Sequence, residues 1–353
     1  VPYEYRWFAG SGTGSSTRGG GWARSGKQVY RQLGQVERNG THAYRPEAAR
    51  RVNLGSSSPL AVVAGTHVVL IDPDNGKEVQ RPLDFAIRPG RSPEWSDMDG
   101  DGVVDLIILS ERTTKPTFNI PKANLSVWSL ALQKELWSKE LDADWPVTQA
   151  WTIDPPRWPI VVDLNGDGKS EVIVPNASSS SGRTFFGSDM GIPWGGLVAL
   201  EGLSGKKLWS REIVSMDQQL SHFKDGPDID GDGWREVYVA TLSGSDFGIY
   251  VDALSGQSGK TLWNSKGAAP PTDSEPLLAP LKWWNAGEDG WPQLLVQAVD
   301  DHTGLRHSLV CCFSAGTGRM SHFGRGITDV QTRDVDCDGV EDLLIFNALP
   351  PAN

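Results

Sequence analysis

Four acidic stretches share one spacing. They are Asp97-Met-Asp-Gly-Asp-Gly-Val-Val-Asp, Asp163-Leu-Asn-Gly-Asp-Gly-Lys-Ser-Glu, Asp228-Ile-Asp-Gly-Asp-Gly-Trp-Arg-Glu and Asp334-Val-Asp-Cys-Asp-Gly-Val-Glu-Asp. Each carries oxygen side chains at positions 1, 3, 5 and 9 and glycine at position 6. A hard cation such as Ca²⁺ takes about six to eight oxygens, and alternating acids on a tight loop can wrap it. Gly102, Gly168, Gly233 and Gly339 permit the positive φ that such a turn needs. A helix–loop–helix calcium site would place Glu at position 12 and continue as a helix. Here position 12 is Ile108, Val174, Val239 or Ile345, inside an apolar β-branched run that reads as a strand. The spacing therefore predicts a strand–calcium loop–strand hairpin closed by the position-9 acid. A metal-free acidic hairpin turn is the alternative, because Asp-Gly is also a common hairpin signal. Repetition at one spacing favours calcium. A fifth, worn copy, Asn285-Ala-Gly-Glu-Asp-Gly-Trp-Pro-Gln, lacks the acids at positions 1, 3 and 9 and is expected to be metal-free.

The elements that hold these loops repeat with them. First positions fall at 97, 163, 228, 285 and 334. A period of this length points to a propeller or array. A second signal follows most loops: Leu197-Val-Ala-Leu-Glu-Gly-Leu-Ser-Gly-Lys-Lys-Leu-Trp209 and Tyr250-Val-Asp-Ala-Leu-Ser-Gly-Gln-Ser-Gly-Lys-Thr-Leu-Trp263 are the clearest. Each reads as strand, tight glycine turn, strand. One repeat is then four strands; in the second full repeat they are 159–163, 171–175, 196–201 and 206–212. The fold class expected is all-β, a β-propeller of four-stranded antiparallel blades. It has about six blades, or is a piece of a larger ring. The first unit, about 59–85, is expected to lack its innermost strand, and the last, about 329–347, to stop after its second. The two could complete one another. The repeated tryptophans are expected to pack between neighbouring blades.

Composition is that of an ordinary globular chain: 353 residues, 38% hydrophobic and 22% charged. A net charge of −11 argues against a general nucleic-acid surface. Three cysteines, with Cys311 and Cys312 adjacent, make neither a disulfide framework nor a zinc spacing. No apolar run reaches the length of a membrane span, and no signal peptide is visible. The chain starts at Val1 rather than Met, which leaves room for a leader or further domains. Residues 1–55 form a distinct segment, Gly/Ser/Thr-rich from Gly10 to Gly21 and basic, and read as a flexible linker. Residues 56–350 form the propeller. Asn39-Gly-Thr, Asn124-Leu-Ser and Asn176-Ala-Ser are glycosylation sequons, meaningful only in a eukaryotic secretory route.

The Asp-x-Asp-Gly-Asp-Gly-x-x-Asp/Glu loop followed by an apolar strand resembles the FG-GAP/VCBS repeats of integrin-α-type propellers. The Leu-x-Ala-Leu-x-Gly-x-Ser-Gly-Lys-x-Leu-Trp segments resemble blades of PQQ-like, quinoprotein-type propellers. Together the resemblance covers residues 59–347. It implies a propeller with about four calcium sites in peripheral hairpin loops. By position the ligands would be Asp97, Asp99, Asp101 and Asp105; Asp163, Asn165, Asp167 and Glu171; Asp228, Asp230, Asp232 and Glu236; and Asp334, Asp336, Asp338 and Asp342. Backbone carbonyls of Val103, Lys169, Trp234 and Val340 would add to them.

Three functions compete. The preferred one is a non-catalytic, calcium-binding module for binding, adhesion or sensing, with no catalytic or organic-cofactor residues. Its protein or carbohydrate ligand would lie on the face opposite the calcium loops, where Trp145, Trp151, Trp158, Phe185, Phe186, Trp194, His222 and Phe223 fall. The bland alternative is that these residues cap the disc and pack together. A calcium-dependent polysaccharide lyase is the runner-up; His222 with Lys224, and His302 with Arg306 and His307, are its candidate groups. A PQQ-dependent dehydrogenase comes third. It would use the Cys311–Cys312 pair, but those residues fall in a strand, where neighbours point to opposite faces. Low-affinity calcium loops fill where calcium is millimolar, so the expected location is extracellular, periplasmic or cell-surface. Ligand identity and oligomeric state stay open.

Overall fold

Short apolar runs broken by Gly-containing turns leave this chain little choice but hairpins. The structure, a computed structural model, describes residues 19–24, 27–32, 49–55, 57–64, 67–74, 77, 79, 83–84, 93–111, 122–144, 159–176, 196–212, 218–243, 248–267, 277–278, 281–285, 289–300, 307–325, 327–337 and 341–347. Every regular element among them is a strand, so the fold class is all-β. Among the described residues no helix is long and apolar enough to cross a membrane.

The chain divides into two compact units, Val1–Leu141 and Asp142–Asn353. In the first, β1 (Gly19–Arg24) and β2 (Lys27–Gln32) form a separate hairpin. Then β3 (Ala49–Arg51), β4 (Leu60–Ala64), β5 (His67–Ile71) and β6 (Leu83–Asp84) form one sheet. The next sheet orders β7 (Glu94–Ser96), β8 (Asp105–Glu111), β9 (Lys122–Ser129) and β10 (Lys134–Asp144), the last strand running across the unit boundary. Val52, Ala61, Val68 and Leu70 pack against Leu106, Ile108 and Leu130 to give this unit its core.

The second unit repeats the plan. One sheet runs β11 (Ile160–Val162), β12 (Glu171–Asn176), β13 (Gly196–Glu201) and β14 (Lys207–Glu212). The next runs β15 (Gln218–Asp225), β16 (Val237–Ser243), β17 (Ile249–Leu254) and β18 (Thr261–Lys266). In the third, β19 (Leu277–Leu278) and β20 (Lys282–Trp284) both pair with β21 (Gln293–Asp300), followed by β22 (His307–Ser314) and β23 (Met320–Arg325). A two-stranded sheet, β24 (Ile327–Arg333) with β25 (Asp342–Asn347), ends the series. Four-stranded antiparallel meanders in chain order are β-propeller blades. Two differences from the sequence reading stand out. The first unit does have an innermost strand, β3, whose Ala49–Arg51 pair with Leu60–Val62. It is too short and too basic to show hydrophobic alternation. Within residues 1–55, β1, β2 and β3 are strands where a flexible linker was expected.

Inside the second unit, tryptophans join each blade to the next. The Trp209 indole N–H, from β14, donates to the Gly256 carbonyl at 2.6 Å, and Trp263, from β18, donates to the Ala315 carbonyl at 2.9 Å. Each ring lies on the turn glycine of the following blade. A Cβ at Gly259 would come within 2.7 Å of the Trp209 ring, and one at Gly318 within 2.6 Å of Trp263. Both glycines also have φ of +69°. At the inner strands, Trp283 donates to the Asp225 carbonyl and Trp284 to the Glu341 carbonyl, at 2.7 and 2.6 Å. Tyr238, fully buried, meets the Trp283 ring edge-on at 4.8 Å and donates its hydroxyl to the Ala315 carbonyl.

Trp209→Ala is expected to cost about 3–5 kcal/mol, as large core truncations do. Trp209→Phe should lose only the indole hydrogen bond and part of the ring, for about 1–2 kcal/mol. Urea denaturation of the two variants checks this; a cost for the alanine variant below about 1 kcal/mol, the range of surface changes, would place the ring outside the blade interface.

Candidate metal centre

Each acidic loop spans the step from an inner strand to the second strand of its blade. Main-chain hydrogen bonds shape it. The position-1 carboxylate takes two N–H groups, one on each oxygen: Asp97 accepts from Gly100 and Gly102 at 2.7 and 2.8 Å. Asp163 accepts from Gly166 and Gly168, both at 2.8 Å. Asp228 accepts from Gly231 and Gly233 at 2.7 and 3.0 Å. The position-3 side chain accepts from the position-5 N–H, and position 5 from the position-7 N–H. Position 9 closes the loop by accepting the position-2 N–H, which Asp105, Glu171, Glu236 and Asp342 all do at 2.8–3.0 Å.

Two glycines per loop make this winding possible. At position 6, Gly102, Gly168 and Gly233 have φ of +82°, +83° and +87°. At position 4, Gly100, Gly166 and Gly231 are also left-handed. The sequence reading singled out only position 6. In the last loop position 4 is Cys337, at φ +62°, a strained choice for a residue with a Cβ. Gly339, Asp338 and Val340 lie outside the described residues.

The loops gather carboxylates. Oxygens of Asp97, Asp99 and Asp105 lie within 4.8 Å of one another, as do those of Asp228, Asp230 and Glu236, and of Asp334, Asp336 and Asp342. These are positions 1, 3 and 9. The position-5 acids Asp101 and Asp232 are exposed and lie outside the groups, turned to their own loop's N–H. The loop at 163 winds the same way, but its position 3 is the amide Asn165, so its acids number three only with the exposed Asp167. Val103, Lys169 and Trp234 sit at position 7, each with its N–H bound to the position-5 acid.

Asp105 tests whether a cation fits. Its side chain is fully buried. One oxygen accepts the Met98 N–H, while Oδ1 has no hydrogen-bond partner. Burial, with further repulsion from Asp99, Asp101 and Asp97, pushes its carboxyl up to about 7. Asp99, Glu171 and Glu236 are also raised, burial leading in each. A buried carboxylate that lacks a donor on one oxygen and is grouped with two other carboxylates is costly alone and would be satisfied by a divalent cation. The residues present therefore fit calcium. The worn copy differs: Asp289 accepts from the Ser314 hydroxyl and the Trp291 N–H, and the Ser314 bond leads in holding its carboxyl below the usual range. Gln293 stands at position 9, buried and neutral.

Other candidate residues fall differently. Trp145, Trp151, Trp158, Phe185, Phe186, Trp194, His302 and Arg306 lie outside the described residues. His222 and Phe223 are buried, and the His222 Nε2 is 2.8 Å from the Leu278 carbonyl. His222 is therefore a core residue rather than part of an open ligand face. Cys311 and Cys312 are unbridged and buried on β22. Burial first, and then Cys311, pushes the Cys312 thiol up to about 12.

No family model matches the chain, and no curated protein matches it. Solved structures do. The V. cholerae biofilm matrix protein Bap1 is similar at 11% identity and a TM-score of 0.36, over 84% of this chain and 73% of that one. BamB from Moraxella catarrhalis is similar at 12% identity and a TM-score of 0.25, over 76% of this chain and 73% of that one.

The raised carboxyl of Asp105 has a sign. Its folded pKa lies above the unfolded value of about 3.9. In metal-free protein, stability contributed by this group is present below that value and is lost as pH rises toward about 7. Asp105→Asn removes the charge and keeps the shape. It is expected to leave the melting temperature at pH 7.5 unchanged or higher in EDTA, and lower in millimolar calcium. Differential scanning calorimetry in both buffers reads this. A fall of equal size in both would make Asp105 a packing residue.

Proposed function

We propose that this protein is a non-catalytic β-propeller module for binding, adhesion or sensing, whose loops are set by calcium. The observation that carries the reading is the convergence of position-1, -3 and -9 carboxylates within 4.8 Å in three loops, one of which holds the buried Asp105 with an unpartnered Oδ1. Calcium would be held at about four loops. The side-chain ligands are Asp97, Asp99, Asp101 and Asp105; Asp163, Asn165, Asp167 and Glu171; Asp228, Asp230, Asp232 and Glu236; and Asp334, Asp336, Asp338 and Asp342. The position-7 carbonyls complete each shell.

The metal's role here is structural. It neutralises acids that the fold has wound close together, so each site stabilises the folded chain by mass action. At about 100 times the dissociation constant, one site adds about 2.7 kcal/mol. Loops of this kind fill at the millimolar calcium found outside the cytoplasm. An extracellular, periplasmic or surface setting follows, with a protein or carbohydrate ligand on the opposite loops. Two groups that an enzyme reading would use are placed against it: His222 is buried against a carbonyl, and the Cys312 thiol is buried and held protonated.

Titration of EDTA-treated protein with calcium in a calorimeter tests the reading. About four sites and a large calcium-dependent rise in melting temperature are expected. Asp230→Ala should remove one site and lower the melting temperature only when calcium is present. Neither heat nor a thermal shift in the unsubstituted protein would sink the proposal.

A further inference from the structure

We infer that the loops beginning at Asp163 and Asp228 bind calcium cooperatively, through a main-chain relay at Leu164. This inference rests on the calcium reading of both loops. Leu164 is position 2 of the first loop and is fully buried. Its N–H donates to Glu171 Oε2, the closing acid of its own loop, at 2.8 Å. Its carbonyl accepts the Arg235 N–H at 2.7 Å. Arg235 is position 8 of the second loop. It shares one rigid peptide unit with the Trp234 carbonyl, the position-7 ligand there, and is followed directly by the closing acid, Glu236.

The consequences are geometric. A cation on the 163 loop fixes the Glu171 carboxylate, and with it the Leu164 N–H. Water cannot reach Leu164 to replace either main-chain bond, so the residue holds both or sacrifices one. With Leu164 fixed, its carbonyl holds the Arg235 N–H. That orients the Trp234 peptide, whose carbonyl must face the second cation. A cation at the second loop works back along the same bonds, as linkage requires. Glu236 is braced as well: its carboxylate accepts from Ile229 and, across the blade, from the Gly256 N–H at 3.1 Å. The ordering done by the first ion is thus not repeated for the second.

The same chain shows where such a relay must stop. In the worn copy, position 8 is Pro292. Proline has no N–H to give to the preceding loop. The position nevertheless tolerates proline in this fold, with the Pro292 carbonyl accepting the Ala315 N–H at 2.9 Å. Arg235→Pro therefore deletes the relay bond and touches no proposed side-chain ligand. Arg235→Ala is its control: it removes the side chain's contacts with Asp225 and the Gly226 carbonyl but keeps the N–H.

Trp234 stands at position 7 of the second loop, where the other acidic loops carry Val103, Lys169 and Val340, so the emission that depends on it belongs to the second loop. Terbium bound there in place of calcium is sensitised by Trp234, and Trp234→Phe identifies that emission. Glu171→Gln, which disables the first loop, should move the terbium midpoint at the second loop about fivefold or more toward higher concentration, within the usual range of coupling between sites. Asp336→Asn, in the last loop, should leave it in place. In an Arg235→Pro background, Glu171→Gln should have no further effect, whereas in Arg235→Ala the shift should persist. Melting temperatures in EDTA confirm that each variant is folded. Terbium binding at an unshifted midpoint in Glu171→Gln would overturn the coupling and leave the calcium reading intact. A shift that persists in Arg235→Pro would overturn the relay. Absence of both sensitised emission and binding heat in the unsubstituted protein would overturn the calcium reading, and the coupling with it.

Discussion

A carboxylate at the start of the second strand, accepting the main-chain N–H seven residues earlier, sets the rest of the acidic loop. Asp105, Glu171 and Glu236 do this from buried positions. The bond ties the loop's entrance to its exit, so the residues between must wind in one turn. The winding then brings positions 1 and 3 back over the same carboxylate. Left-handed glycines at positions 4 and 6 are the steric condition for that turn. A closing bond at a buried acid also makes the loop depend on charge. The acid must sit where the strand begins, and the strand begins where the blade's core begins.

That strand is the second of its blade, and its neighbours complete the link between loop and fold. Val172, Ile173 and Val174 follow Glu171 directly, and Val237, Tyr238 and Val239 follow Glu236, all fully buried. Tyr238 carries the connection furthest: its ring meets Trp283, and its hydroxyl shares the Ala315 carbonyl with the Trp263 indole. The loop, the strand and the tryptophan contact between blades are therefore consecutive parts of one packed path. A metal that orders the loop acts on the edge of this path.

What was legible in the sequence was what repeats locally. Position-9 acids, apolar second strands and the Ser-Gly turn all lie within one hairpin, and strands expected at 171–175 and 196–201 appear as Glu171–Asn176 and Gly196–Glu201. The Trp209 partner was legible in kind, since a large aromatic in an outer strand must bury its area somewhere. Its hydrogen bond to Gly256, 47 residues away, was not. Contacts between blades depend on how the sheets stack, which no local pattern encodes. The Arg235–Leu164 bond and the Gly256–Glu236 brace escaped for the same reason. Strand β3 was missed because Ala49-Arg-Arg has no alternation to read; its strand state comes from its neighbour β4. His222 was placed among loops of the face opposite the acidic turns, yet it lies within β15 and the Leu278 carbonyl satisfies its ring inside the fold.

The worn copy shows what sets the acidic loops apart. Its fold is similar, with Gly290 left-handed at φ +80° and Asp289 accepting the Trp291 N–H. There the buried position-9 group is the neutral Gln293, whose amide donates to the Trp291 carbonyl. Asp289 is exposed and takes a hydroxyl from Ser314. Among the described residues of this copy, neutral groups of the protein itself serve Asp289 and position 9. In the loop at 97 a buried carboxylate replaces the amide; its Oδ1 has no donor, and the carboxylate is grouped with those of Asp97 and Asp99. An isolated buried charge is too costly to leave uncompensated and either takes a proton or finds a partner. Above pH 7 the proton is no longer the stable solution for a carboxyl raised to about 7. The carboxylates grouped at positions 1, 3 and 9 then have the chemistry that a doubly charged ion would satisfy.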